Sequence, residues 1–338
     1  MNFYTLLRRL TAIRSPRIRL LLFGGALMLR RRAIGVYIDP TIGCNLRCAM
    51  CAFSSAKERA GRLKGRMTDE AIAALSSALL PYALKLQIGC GAEPTIDPRT
   101  TRIIAAGKEA GVPYISVTTN GQLLTPELLE SYIEAGLHEV TVSLHGVKPE
   151  TYERLMPGAS HRKFLQLIDT LREAKKRHSS LKVRVNFTVN ADNLFELPLI
   201  PQLFGQGVID ILQLRPVQNL GDSAYTNFDL NPLVDNYDAT FGVLRERASQ
   251  MGITCLLPER NDIIRAQEPP TALETLFESL TYCYTGPEGA YSGKMPLPGN
   301  DYRTFHRRRH TLRRILRALV SRNSLSRTDV TRKLNYRL

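Results

Sequence analysis

Residues 35–51 read GVYIDPTIGCNLRCAMC: a short apolar run, Gly35–Ile38, followed by Cys44, Cys48 and Cys51 in the spacing C-x3-C-x2-C. Three thiolates on one short loop can hold three irons of a 4Fe–4S cube and leave the fourth iron open to a small molecule. A structural zinc loop is the alternative, but such sites close with a fourth Cys or His, and this loop has no His. Working outward, strand-length runs at Val36–Asp39, Leu84–Ile88, Tyr114–Thr118, Glu139–Ser143, Lys182–Thr188 and Ile209–Arg215 alternate with helix-period stretches. Those stretches are Asp69–Leu80, Thr101–Ala110, Pro126–Ala135, Arg162–His178 and Leu197–Phe204, with Thr68 and Thr125 as N-caps and a sixth helix at Leu233–Met251. The alternation predicts an α/β fold, a partial (β/α)6 TIM-like barrel.

In parallel barrels the site lies on the loops after the strands. Gly91-Ala92-Glu93-Pro94 follows strand two, Thr118-Thr119-Asn120-Gly121 strand three, and Ser143-Leu144-His145-Gly146 strand four. With the cysteine loop, these segments over about Gly35–Pro216 resemble the radical SAM superfamily: its defining cysteine loop, its G-G-E-P segment, its T-N-G turn and its S-L-D-G. Met50 stands where that family usually has an aromatic residue, and His145 replaces the usual aspartate.

The resemblance implies an enzyme that binds a 4Fe–4S cluster through Cys44, Cys48 and Cys51 and S-adenosylmethionine on the open iron. It implies reductive cleavage to a 5′-deoxyadenosyl radical, hydrogen abstraction from substrate, and an electron donor of flavodoxin or ferredoxin type. Met50, Gly91, Ala92, Glu93, Thr119 and Ser143 are the expected cofactor-binding positions. Arg184 and Asn186 alternate with Val183, Val185 and Phe187 and so share one face of strand five; they and Arg215 join that set if the face is the barrel interior, while Arg184 in a structural ion pair is the other reading. His145 and Cys90 are the candidate catalytic residues, against a loop cap and a small buried filler. Cys255 and Cys283 are too few for the auxiliary-cluster extensions of relatives that modify peptides or build cofactors. The substrate is not readable. A cluster-bearing sensor or scaffold without turnover is the non-enzymatic alternative, and retention of the three other motifs argues against it.

Charge divides the chain into residues 1–34, with eight Arg and no acid, and residues 303–338, with twelve Lys or Arg against Asp329; of the total +15 that leaves −4 for the middle. Domain limits are expected at 1–34, 35–257 (the barrel), 258–302 (an irregular Pro- and Gly-rich cap) and 303–338. The apolar run at 18–29 is too short to cross a core of ~30 Å. Arg30-Arg31-Arg32 follows it where a signal peptide would carry its cleavage site. An Arg-rich, acid-free start also resembles a mitochondrial transit peptide. Six cysteines without framework spacing fit a reducing compartment, so a cytoplasmic protein, peripheral to a membrane, is expected. Phe305–Val320 has an apolar stripe with most arginines off it, as in helices that lie on anionic membrane surfaces. Nucleic acid is the rival partner, disfavoured by few aromatics and no RNA-binding module at the ends.

Overall fold

The computed structural model describes residues 13, 15–61, 63–219, 222–265, 271–287, 289–290, 295 and 301–320. Its main elements are α1 (Pro16–Met28), β1 (Ile34–Ile38), α2 (Asp69–Ala78), β2 (Ala83–Ile88), α3 (Thr100–Glu109), β3 (Ile115–Thr119), α4 (Pro126–Ala135) and β4 (Glu139–Leu144). There follow α5 (Pro149–Leu155), α6 (His161–Arg177), β5 (Lys182–Val189), α7 (Ile200–Phe204), β6 (Ile211–Pro216), α8 (Val243–Gln250) and β7 (Thr254–Leu256). The chain continues through α9 (Ala272–Thr281), β8 (Tyr282–Gly286), β9 (Gly289–Ala290), α10 (Tyr302–Arg308) and α11 (Thr311–Val320). Among the described residues the strands form one sheet in the order β7-β6-β5-β4-β3-β2-β1-β8-β9. All neighbours from β7 to β8 are parallel and β9 is antiparallel to β8. The sheet is an unclosed partial barrel.

Strand sequences carry the two faces. Leu86, Ile115, Val140, Val142, Val183, Val185, Phe187 and Leu212 are buried and lie on the convex side, where Leu86 and Ile115 pack against Gly107 of α3. The alternating positions are polar: Lys85 and Gln87 on β2, Ser116 and Thr118 on β3, Glu139, Thr141 and Ser143 on β4, Arg184 and Asn186 on β5, Gln213 and Arg215 on β6. A parallel sheet covered on both sides reads as continuous apolar runs. Here one face is polar, with Gln87 bonded to Thr118 and Arg184 to Glu139 and Gln213, so the concave side is a hydrogen-bonded polar interior and not a second apolar core. Thr68 and Thr125 cap α2 and α4 as expected, accepting from Ala71 N and Leu128 N at 3.2 Å.

Four expectations change. The segment 258–302 contains β8, which pairs with β1 from Gly35↔Tyr282 to Ile38↔Thr285, so part of the supposed cap belongs to the sheet. Leu233–Met251 is not one helix but a short turn at Asn231–Asp235, a π-helical stretch Asp238–Gly242 and α8. Phe305–Val320 breaks at His310, whose φ of 48° ends α10 before α11 begins. The basic ends are not detached arms. α1 packs on α9 and α11, burying Leu20, Phe23, Ile315 and Ala318. Phe23 meets His306 edge-on, and Tyr302 stacks on Tyr82 at 4.9 Å. The remaining parts of both extensions, 1–12 and 321–338, lie outside the described residues.

Candidate active site

The cysteine loop leaves the C-terminal end of β1 and is fixed by backbone bonds to two distant segments. Arg47 N and Ala49 N donate to the carbonyls of Pro157 and Leu155, and Tyr225 N donates to the Ala49 carbonyl. The Ser54 hydroxyl donates to the Cys51 carbonyl at 2.7 Å and accepts from Ala224 N. All three cysteines are half-buried and free. Burial pushes their thiols up, Cys44 to about 11, and the sulfurs of Cys44 and Cys51 further disfavour charge on Cys48. Unaided, none is a thiolate at neutral pH. A bound metal supplies the missing positive charge, so the donor set fits an iron–sulfur cluster. Among the described residues no three His, Cys, Asp or Glu side chains stand close enough to share a single ion. A cube spreads three thiolates over three irons and has no such requirement.

Two buried carboxylates shape the loops around it. Asp39, at the end of β1, accepts from Cys90 N at 2.8 Å, Gly91 N at 3.0 Å and Ala92 N at 3.3 Å, and from the Tyr284 hydroxyl at 2.9 Å. Glu93 accepts from the hydroxyls of Thr95 and Thr119 at 2.6 and 2.7 Å and from Asn120 N at 2.8 Å. Desolvation raises the pKa of both while these donors lower it. Asn120 Nδ2 completes the link to the cysteine loop, donating to Asn45 Oδ1 at 2.9 Å and lying 3.8 Å from Cys44 Sγ. Gly89, at φ 81°, admits no side chain, because a Cβ would stand 2.3 Å from the Thr118 carbonyl.

The structure places the expected site residues as follows. Glu93 and Thr119 spend their polar atoms on the loop and position it. The amides of Gly91 and Ala92 are taken by Asp39. Met50 accepts from Asn190 Nδ2 at 3.0 Å through its sulfur. Arg184 adopts the ion-pair alternative, with Glu139 Oε2 at 3.3 Å, and donates to Gln213 Oε1. Arg215 donates to that same oxygen. Desolvation holds His145 down at about 4, so its imidazole is neutral at pH 7. Cys90 lies under its loop with Sγ 3.8 Å from the Gln87 carbonyl. Ser143 and Asn186 are neighbours in register on the concave face, and Asn186 Oδ1 is buried without a partner.

Asp39, Asn120 and Gly89 were not singled out as site residues from sequence. Asn120 lay inside a quoted motif; Asp39 was marked only by an acid ending the strand before Pro40. Cys255 and Cys283 stand on β7 and β8, far apart in the strand order.

Residues 38–189 match the family model for the radical SAM superfamily. That segment contains all four of the motifs that carry the resemblance to this superfamily. The chain is 36% identical over 168 residues to an AdoMet-dependent heme synthase of Methanosarcina barkeri, covering 47% of this chain and 43% of that protein. It is 25% identical over 223 residues to a probable GTP 3′,8-cyclase of Sulfolobus acidocaldarius, covering 64% and 68%. To the PqqA peptide cyclase of Bradyrhizobium diazoefficiens it is 27% identical over 219 residues, covering 64% and 55%. The matches thus span roughly half of these relatives' own lengths. Streptococcus suis SuiB bound to S-adenosylmethionine shares the radical SAM fold with a TM-score of 0.53 at 15% identity, over 76% of this chain and 59% of that one.

Proposed function

We propose that the protein is a radical SAM enzyme acting at an anionic membrane surface. The observation that carries the chemistry is the three-cysteine loop at the strand ends, locked to its neighbours by Asp39, Glu93 and Asn120. When bound, a 4Fe–4S cluster and S-adenosylmethionine supply one-electron cleavage of a sulfonium and hydrogen abstraction from substrate, with electrons from a flavodoxin- or ferredoxin-type donor.

The chain's own residues do the holding and orienting. Cys44, Cys48 and Cys51 would ligate iron. Asp39 holds the amides of Gly91 and Ala92, and the carbonyls of that loop would accept from a ligand amine. Ser143 and Asn186 offer hydrogen bonds from the concave wall, and the loops over the strand ends exclude water.

The terminal helices support the membrane reading. Leu21 is 56%, Met28 68%, Leu29 73%, Leu316 61% and Val320 82% exposed, on two helices that touch where Leu312 Cδ2 comes within 3.8 Å of a Cβ position at Gly24. Beside them a groove of about 740 Å³ is lined by Arg30, Arg303, Arg307, His310 and Arg313 with Asp301. Exposed apolar side chains next to clustered arginines match a lipid interface with acidic headgroups. No helix among the described residues is long and apolar enough to cross a membrane, and the interfacial mode needs none.

Anaerobic reconstitution, reduction with dithionite and assay for 5′-deoxyadenosine test the chemistry. An intact cluster that yields none of this product overturns it in favour of a scaffold. Flotation with anionic vesicles, neutral vesicles and an RNA competitor tests the surface. Binding to RNA with a steep salt slope and indifference to anionic vesicles would transfer the basic ends to nucleic acid.

A further inference from the structure

The concave interior holds a buried lysine that no carboxylate pairs with among the described residues. Lys85 points inward from β2, since its neighbour Leu86 faces α3. It is 4% exposed, and its ammonium makes no hydrogen bond or ion pair among the described residues. The charged groups that act on it are Arg184 on β5, Arg215 on β6 and the Cys90 thiol. β3 and β4 separate β2 from β5, so these charges meet across the concavity.

The buried carboxylates Asp39 and Glu139 are already committed. Asp39 is saturated by three amides and the Tyr284 hydroxyl. Glu139 accepts from the Tyr114 hydroxyl, Thr141 and Arg184. Burying an ammonium that has no carboxylate of its own beside two guanidiniums is unfavourable, and burial lowers the Lys85 pKa accordingly. A second sign of a missing ligand is Ser116, fully buried on the inward face of β3, whose hydroxyl has no partner. The adjoining strands supply aromatic rings. Tyr37 of β1 stacks on Tyr282 of β8 at 4.1 Å, lying over Gly35, where a Cβ would come within 2.8 Å of its ring.

We propose that this interior binds an acidic substrate, its carboxylate or phosphate held by Lys85 with Arg215 and its apolar or ring portion laid against Tyr37 and Tyr282. This deepens the radical SAM reading and rests on it only for calling the bound molecule a substrate. The incoming anion supplies the counter-charge that the chain withholds.

The test uses full-length reconstituted protein with S-adenosylmethionine and no reductant. Inorganic phosphate and glutarate are compared with chloride at equal ionic strength. Acetylation of Lys85 by acetic anhydride is followed by peptide mass spectrometry, and anion binding by calorimetry. One of the two anions should slow Lys85 acetylation about tenfold, the effect of one charge-assisted contact, and the anion that does so names the acidic group. Lys85→Met should weaken that binding about tenfold and Lys85→Arg restore most of it. Equal binding by wild type and Lys85→Met, as for anions captured on the terminal arginines, overturns the proposal. So does acetylation of wild-type Lys85 unaffected by either anion, a readout that stands even where Lys85→Met fails to fold. Protection of Lys85 without 5′-deoxyadenosine on reduction would sink the enzyme reading and leave the anion site. Product without protection would do the reverse.

Discussion

The cysteine-loop end of the sheet and the terminal-helix layer handle polar groups in opposite ways. At the strand ends, carboxylates go inside and are saturated: Asp39 and Glu93 take amides and hydroxyls from loops up to 245 residues away. In the layer of α1, α10 and α11, the charges stay outside and apolar side chains remain in solvent, Val320 at 82%. The first arrangement holds atoms in place for chemistry. The second leaves a surface incomplete until something covers it.

The sharpest way to break this comparison is to remove a ligand from the rigid end. Cys44→Ala, Cys48→Ala and Cys51→Ala should each abolish the cluster's visible absorption and all cofactor cleavage, whereas Cys255→Ala and Cys283→Ala should retain both. Tightly bound zinc in place of iron would contradict it.

Glu93→Ala strips the acceptor from Thr95, Thr119 and Asn120, leaving buried donors unpaired. Urea denaturation of the apoprotein should report a loss of about 3 kcal/mol. A loss below about 1 kcal/mol would mean the loops are held by other bonds.

Acid should separate the two regions. Burial, then Arg309 and Arg314, push the His306 imidazole down from 6.5 to about 4, so the unfolded chain takes up a proton that the folded one refuses. The stability it contributes is present above about pH 6.5 and is lost as pH falls through about 4, up to about 3 kcal/mol. The neutral His145 adds a loss of the same sign. Asp39 and Glu93, raised in the folded state, act oppositely: their contribution is largest in acid and declines as pH rises through their folded values. Replacing the ring by His306→Gln should flatten the acid limb of a stability–pH profile; an unchanged limb would remove His306 from the account.

On the soft side, Leu21→Glu with Leu316→Glu should reduce affinity for anionic vesicles at least about tenfold, since each leucine is worth about 1.5 kcal/mol on burial. Cofactor cleavage should be untouched. Coupled loss of both would show that the layer and the site are not independent.

The smallest effect expected is from Ser143→Ala. Removing one concave-face hydroxyl should weaken S-adenosylmethionine binding by about 1 kcal/mol in calorimetry, and no change would remove Ser143 from the cofactor wall.

The strands were legible because their convex positions are large apolar residues in unbroken alternation, as in Val183, Val185 and Phe187. The loops were legible because Cys44–Cys51, Gly91–Pro94 and Thr118–Gly121 are local patterns. β8 was hidden: Tyr282–Gly286 sits among Pro and Gly, and only pairing with β1 makes it a strand. Lys85 carried the same alternating signal as Arg184, in the run ALKLQI, yet its meaning depends on Arg184 and Arg215 across the concavity. Asp39 likewise has partners about fifty and more than two hundred residues away. The terminal layer was visible as charge, but the contact of α1 with α11 was not, since nothing in either helix specifies the other.

The β1–β8 pairing also bears on how the molecule is made. β1 emerges early in synthesis, but its second edge stays bare until β8 has been translated, and the Asp39–Tyr284 bond spans 245 residues. Closing so long a loop is slow, and an open parallel edge is prone to pair with other chains in the meantime. The loop that receives the iron is thus shaped by one of the last contacts to form, so nascent chains should depend on chaperones for longer than the order of the sheet's other strands would require.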